Sequence, residues 1–386
     1  MPASADVIII GGGVVGASIA WHLTNAGCRN VVILERETQP GMGSTGKSMG
    51  GVRVQFSLAA DIRMSRYSIP WFRDFEKLAG HPSGYRAQGY LFVATEPRHL
   101  EYLQANYRRQ VAEGVRDVRL ISREEIVAMV PELRSDDILG GSFCSSDGFV
   151  DPHSVLTGFL NRATEQGAQL VRQARVTGID VDGKGVAGVQ TAKGAFASRT
   201  VVNAAGAWAA EVAELAGIRL PVKPLRRMLV PTEPFGRISH SVPMTVDMST
   251  GFHFRPEGLG FLMAWNDPAE TPGFKLNVDR GFVEKILTLA ADRVPVFAEA
   301  EVNPSRAWAG LYEVTPDHHP ILGPVPGLPG LFLANGFSGH GVMHSPATGK
   351  ILADLILTGA TDLIDVRHFD LARFAEGRLV EETLVL

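Results

Sequence analysis

Gly11, Gly13 and Gly16 stand between a β-branched run and a helical pattern, a spacing that can bring a phosphate-bearing ligand against bare backbone. Asp6-Val-Ile-Ile-Ile10 has the composition of a buried parallel strand, and 17–26 carries a helical pattern that stops at Gly27. Val31-Val-Ile-Leu34 reads as a second buried strand and ends in Glu35. In such a unit Gly11 permits the tight turn and Gly13 lets a pyrophosphate reach the backbone, while Gly16 lets helix and strand pack closely. Val14 and Val15 follow at the mouth of the helix, where unpartnered N–H groups and the helix dipole favour an anion. Glu35 can accept both ribose hydroxyls, and its charge repels a 2′-phosphate. This is a complete dinucleotide-binding unit, and it does not by itself distinguish NAD from FAD.

A second stretch with the makings of a cofactor site lies near the C-terminus. Gly330-Leu-Phe-Leu-Ala334 reads as a strand, Asn335 to Gly341 as a glycine loop, and Ser345-Pro346 as an N-cap followed by proline in the first turn of a helix that runs to Gly359. A helix start presented by flexible backbone suits the edge of a ring system that becomes anionic on reduction, such as the pyrimidine edge of a flavin. A surface helix start is the plain alternative. Gly41 to Gly51 is a loop by composition, with glycines and hydroxyls that can follow a cofactor.

These stretches need elements to hold them. A helical pattern runs over 58–78, a strand over 90–95, and a short helix over 122–130 opens with the capping box of Ser122 and Glu125. A helix over 154–166 leads to a strand over 169–172, further strands lie within 176–190, and 201–206 is a buried strand ending in glycine. From 222 to 265 short strands and turns dominate, and a helix follows over 280–291. A chain of 386 residues suits two domains, and 45% hydrophobic with 20% charged residues is the composition of a globular protein. A net charge of −4 argues against a nucleic-acid partner. The apolar run 7–20 is glycine-rich and shorter than the roughly 20 residues a membrane span needs, so no transmembrane segment is expected. Cys28 and Cys144 share no metal-ligand spacing and fit a cytoplasmic setting.

Five stretches, 6–36, 43–56, 203–208, 310–317 and 336–343, together resemble the D-amino-acid-oxidase-like flavoproteins, a family that includes sarcosine, glycine and D-amino-acid oxidases. Gly43 to Phe56 looks closest to sarcosine oxidase and to the β subunits of sarcosine oxidase and dye-linked L-proline dehydrogenase. The resemblance implies an α/β fold: a discontinuous Rossmann-type FAD-binding domain (1–86, 148–222 and 306–386) carrying an inserted, mostly antiparallel α+β substrate domain (87–147 and 223–305). It implies FAD as cofactor, held by Gly11, Gly13, Val14, Val15, Gly16, Glu35 and Arg36 at the adenosine end. Ser44, Thr45, Gly50 and Gly51 match the loop along the pyrophosphate and flavin, and Val176 matches a backbone contact to adenine. Ala205, Gly206 and Trp208 match a cofactor-side turn, while Phe337, Gly339, His340, Gly341 and Val342 match the flavin-edge loop.

The implied reaction is FAD-dependent oxidation of the C–N bond of a small secondary or N-methyl amino acid such as sarcosine, proline or glycine. Oxidation of a hydroxy acid and a non-catalytic FAD-binding assembly factor or subunit are the alternatives. The electron acceptor stays open among oxygen, a quinone and an electron-transfer protein, as does the need for a partner subunit or homo-oligomer. Where some sarcosine oxidases attach flavin to cysteine this chain has Gly310, so non-covalent FAD is expected. Where D-amino-acid and glycine oxidases carry a carboxylate-binding arginine it has Tyr312, which can close over the substrate or simply end a strand. Arg53 stands where the sarcosine-oxidase-like branch grips the carboxylate, and a structural arginine is its plain reading. His253 occupies the place of an active-site tyrosine and can touch the amine or the flavin or serve the fold, whereas His340 is expected at the flavin. Leu262 or Met263, and Met343, stand where sarcosine oxidases carry lysines that favour oxygen. His318, His319 and Asp317 are read as no metal site, because adjacent histidines on extended chain point apart.

Overall fold

The computed structural model describes residues 3–380 and residue 382. The strand Val7–Ile10 is buried at every position because it is interior to a sheet covered on both faces. That sheet has six strands in the order Ile321–Pro324, Leu331–Asn335, Val201–Asn203, Val7–Ile10, Val31–Leu34 and Gln169–Val171. Only the Ile321–Pro324 edge runs antiparallel. Alternation along Val7–Ile10 decides what each face meets. Val7 and Ile9 join a core shared with the helices Val14–Asn25, Pro152–Glu165 and Gly341–Thr358. Ile8 and Ile10 pack toward the helix Ala209–Glu214 and a small sheet that includes Val176–Asp182 and Gly185–Thr191.

The second large sheet has eight strands, in the order Trp308–Val314, Lys223–Pro231, Gly260–Ala264, His253–Glu257, Met244–Asp247, Tyr90–Ala94, Gly140–Cys144 and Val118–Ile121. All neighbours are antiparallel except Met244–Asp247 with Tyr90–Ala94. One face, with Met228, Val230, Phe254, Phe261 and Met263, packs against the helix Arg280–Arg293. The intervening residues Arg227, Leu229, His253 and Ala264 therefore look the other way. Trp308–Val314 pairs along Lys223–Pro231, so a strand from within 306–386 joins the eight-stranded sheet.

Two local expectations are corrected, and one helix is added. The pattern over 58–78 is two helices, Ala59–Arg73 and Phe75–Ala79, broken at Asp74 four residues after Pro70. The last long helix begins at Gly341, not after Ser345. Pro346 then lies inside the helix without an N–H for the Val342 carbonyl, and Ser345 Oγ donates to that carbonyl instead at 2.8 Å. The helix Pro97–Ala112 gives little sequence signal because only Leu103, Asn106 and Gln110 are buried. Among the described residues no helix is long and apolar enough to cross a membrane.

Candidate active site

A cavity lies between the two large sheets, with Arg175 and Val176 toward one end and Arg227, His253 and Tyr312 toward the other. At the first end the three Rossmann glycines serve different purposes. Gly11 has φ +116°, and a Cβ there would stand 2.3 Å from Ala204 O. A Cβ on Gly16 would stand 2.1 Å from Gly11 O, so Gly16 serves packing and does not line the cavity. Gly13 has ordinary backbone angles and only Thr45 Oγ1 nearby, at 3.3 Å, so its missing side chain leaves room for a ligand rather than for the protein. Val14 and Val15 line the cavity beside it, and the helix they open has no side-chain cap. Thr45 Oγ1 accepts from Val14 N at 3.1 Å, and Ser44 Oγ donates to Leu311 O at 2.6 Å, tying the loop to the eight-stranded sheet.

Glu35 is fixed in the cavity wall by accepting from Gly12 N at 2.9 Å and Glu37 N at 2.7 Å. The Arg36 guanidinium lies 3.8 Å over the Trp208 ring, and Val176, Ala205 and Gly206 line the same end. A helix start whose N-cap glycine offers no side chain, with space beside it and an oriented carboxylate, fits a dinucleotide. Gly50 and Gly51 do not line the cavity. Their missing side chains make room for Val150 O and Tyr90 Oη, where the chain pairs with Gly148–Phe149.

Phe337, Gly339, Gly341 and Val342 line the far part of the cavity, and His340 sits behind it. Gly339 has φ +102°, and a Cβ there would enter the Tyr312 ring at 2.5 Å. Glu313, in the cavity wall, accepts from Gly336 N at 3.0 Å, and burial pushes its carboxyl up to about 7. A Cβ at Gly310 would stand 2.7 Å from Lys47 Cβ, which leaves no space there for a flavin-linking cysteine.

Arg53 is 1% exposed and does not line the cavity. Nη1 donates to Gln55 O at 2.5 Å, Nη2 contacts His340 Nε2 at 3.2 Å, and the guanidinium lies 4.1 Å over the Phe56 ring. A guanidinium that does line the cavity at the His253 end is that of Arg227, which the sequence pattern did not single out. It lies 5.2 Å over the Tyr312 ring, Nη1 donates to Arg226 O at 3.4 Å, Nε has no partner, and among the described residues it makes no ion pair. Its signal was available: an arginine on the strand face that alternates with Met228 and Val230 is half-buried with no acid beside it in the strand. His253 lines the same end, its Nδ1 2.9 Å from Gly251 O, and burial lowers its pKa to about 4. His319 is instead paired with Asp61 at 2.8 Å, and Asp317 with Arg373 at 2.7 Å.

A Rossmann sheet with this cavity, and a mostly antiparallel sheet closing its far end, define a flavin-dependent oxidoreductase. The family model described as FAD dependent oxidoreductase, the DAO family, matches residues 6–355, and the chain belongs to that family. FAD-dependent oxidoreductase domain-containing protein 1 of Xenopus laevis is 33% identical over the whole of this chain and 85% of its own length. Human mitochondrial dimethylglycine dehydrogenase is 29% identical over 94% of this chain but 44% of its own length. The crystal structure of L-proline dehydrogenase from P. horikoshii superposes with a TM-score of 0.91 at 30% identity, covering 98% of this chain and all of that one.

Proposed function

We propose that the protein oxidises the C–N bond of a small secondary or N-methyl amino acid, with the substrate carboxylate on Arg227. The observation that carries this reading is the state of that arginine: half-buried in the cavity wall, desolvated enough to lower its pKa, and with no carboxylate within 4 Å among the described residues. A desolvated cation is costly unless it meets an anion, so the site is built for one. Tyr312 beneath the guanidinium holds its plane, and burial raises the phenol pKa, so it stays protonated and can donate to the same carboxylate.

FAD in the Rossmann cavity supplies a two-electron acceptor. With it bound, the substrate would lose a hydride from carbon and be left as an iminium, its C=N bond closed by the nitrogen lone pair. Arg227 contributes by orienting the substrate, an entropic gain that grows with the rigidity of the two-bond fork. A non-covalent FAD is part of this reading and is supported by the space Lys47 takes beside Gly310. A cytoplasmic setting is supported by two free cysteines, Cys28 and Cys144.

The test is anaerobic titration of the FAD-loaded protein with sarcosine, L-proline and glycine, and separately with matched hydroxy acids. Bleaching of the flavin by amino acids alone is expected. Bleaching by hydroxy acids alone would transfer the site to C–OH oxidation, and bleaching by neither would mark a non-catalytic FAD-binding subunit.

A further inference from the structure

We propose that His253 selects the substrate at its nitrogen: Nε2 accepts the single N–H of a free secondary amine, so the site takes cyclic or N-methyl amino acids in preference to tertiary ones. The inference rests on the amine-oxidation reading above and adds the residue that sets the amine class.

The tautomer follows from one contact. Gly251 O has lone pairs and no hydrogen, so the hydrogen in the 2.9 Å contact sits on His253 Nδ1. A neutral imidazole then carries its lone pair on Nε2, which has no protein partner among the described residues. Protonation would turn Nε2 into a donor, but burial opposes it most, followed by the charges of Arg227 and Arg53. The site therefore presents two unlike groups to a small molecule: a fork of donors on Arg227 and an acceptor on His253.

Their placement suits one amino acid. His253 pairs with Ala264, and Ala264 pairs with Leu229, two residues from Arg227 on the same face. Both side chains line one end of the cavity. A carboxylate on Arg227 leaves the adjacent nitrogen to meet His253. A free secondary amine has one N–H for Nε2 and one lone pair for the developing C=N bond. A free tertiary amine has no N–H, so it sets a methyl group against Nε2 and leaves a desolvated acceptor unpaired. Sites built around a polar partner reject analogues that lack it more strongly than sites that merely add or remove a methyl group.

The test uses the full chain loaded with FAD. Pyrrole-2-carboxylate carries the N–H but no transferable hydrogen, and N-methylpyrrole-2-carboxylate lacks the N–H. Calorimetry should show the first binding roughly tenfold more tightly than the second. In His253→Phe that ratio should collapse toward one, and His253→Gln, whose amide oxygen can accept, should recover part of it. Anaerobic reduction by L-proline against N-methyl-L-proline should show the same pattern. Equal affinities in the wild type, or a preference that survives in His253→Phe, overturn the role of His253 while leaving amine oxidation standing. If no amino acid of either class reduces the flavin, the amine-oxidation reading fails and this inference fails with it.

Discussion

Arg53 donates from Nη2 to Nε2 of His340 across 3.2 Å, tying the early glycine loop to the start of the last long helix. A guanidinium offers no lone pair, so His340 accepts through Nε2 and carries its hydrogen on Nδ1. The ring stays neutral, its pKa held well below the ordinary value by burial first and then by the Arg53 charge. Asp147 braces the same loop by accepting from Val54 N at 2.7 Å and Gln55 Nε2 at 2.9 Å. The arginine thus lies where the loop 336–341 is held, one layer behind the cavity.

Arg53→Ala is expected to lower stability by about 2–4 kcal/mol, because it leaves the Gln55 carbonyl and His340 Nε2 buried without their donor. Arg53→Lys should recover only part, since a point charge cannot serve two acceptors with a planar fork. Urea unfolding and flavin retention measure both. A variant with wild-type stability and FAD content but weakened substrate binding would return Arg53 to the carboxylate role that the family resemblance implies.

Arg227→Ala should leave FAD bound and weaken the binding of a small amino acid by roughly 2–5 kcal/mol, the range for removing one side of a desolvated charge pair. Arg227→Lys should bind with intermediate strength. Half-saturation in anaerobic flavin reduction is the measurement. Unchanged half-saturation in Arg227→Ala would mean that the carboxylate is held elsewhere.

The Rossmann half was legible because its signals are local: a β-branched run, glycines at fixed offsets and an acid at the end of the next strand, all within 6–35. The relation of Arg227 to His253 was not, because it depends on which strands neighbour one another. Sequence places 227 and 253 apart, and only the pairing of Leu229 with Ala264 and of Ala264 with His253 sets them on one face. The start of the last helix was misplaced for a related reason. Ser345-Pro346 has the local form of a cap, but Ser345 Oγ instead satisfies the carbonyl that Pro346 cannot. The roles of Gly50 and Gly51 were hidden because their neighbours, Val150 and Tyr90, are distant in sequence.

Two glycine substitutions should separate cofactor space from protein space. Gly13→Ala meets only Thr45 Oγ1 at 3.3 Å, so it should fold with near wild-type stability yet retain much less FAD. Gly11→Ala places its Cβ 2.3 Å from Ala204 O at φ +116° and should destabilise the protein with or without cofactor. Melting curves of the apo and FAD-loaded forms distinguish them. In the wild type, acid precipitation should release FAD into the supernatant, and flavin left in the pellet would show a covalent link.

Glu313 makes stability depend on pH in a stated direction. Burial raises its carboxyl from 4.5 to about 7, so the folded state holds the proton more tightly than the unfolded chain. Its contribution is complete below pH 4.5 and is lost as pH rises through about 7. Glu313→Gln keeps an acceptor for Gly336 N and removes the charge, so it should flatten the fall in stability between pH 4.5 and about 7. Unfolding midpoints across that range are the measurement, and a wild-type slope retained in Glu313→Gln would locate the titrating group elsewhere, with Asp147, also pushed to about 7, the next to test.

The reduced flavin should react slowly with oxygen. Superoxide developing beside a reduced ring is an anion in a desolvated site, and a fixed cation there stabilises it by several kcal/mol. In the sarcosine-oxidase pattern lysines supply that charge, and the matching residues here are Leu262 or Met263, and Met343. All three are apolar and buried. Leu262 clusters with Leu229 and Ala264 on the cavity side of the eight-stranded sheet, while Met263 faces the opposite core. His253 and His340 do not replace the missing charge, because burial holds both neutral. Arg227 is the cation nearest in kind, but a bound carboxylate neutralises it for as long as substrate or product occupies the site. Stopped-flow reoxidation after reduction by substrate, with oxygen and separately with a quinone or phenazine dye, should show the dye reacting far faster. Reoxidation by air faster than turnover, with one hydrogen peroxide formed per flavin, would show that the enzyme is an oxidase and that oxygen finds its positive charge elsewhere in the cavity.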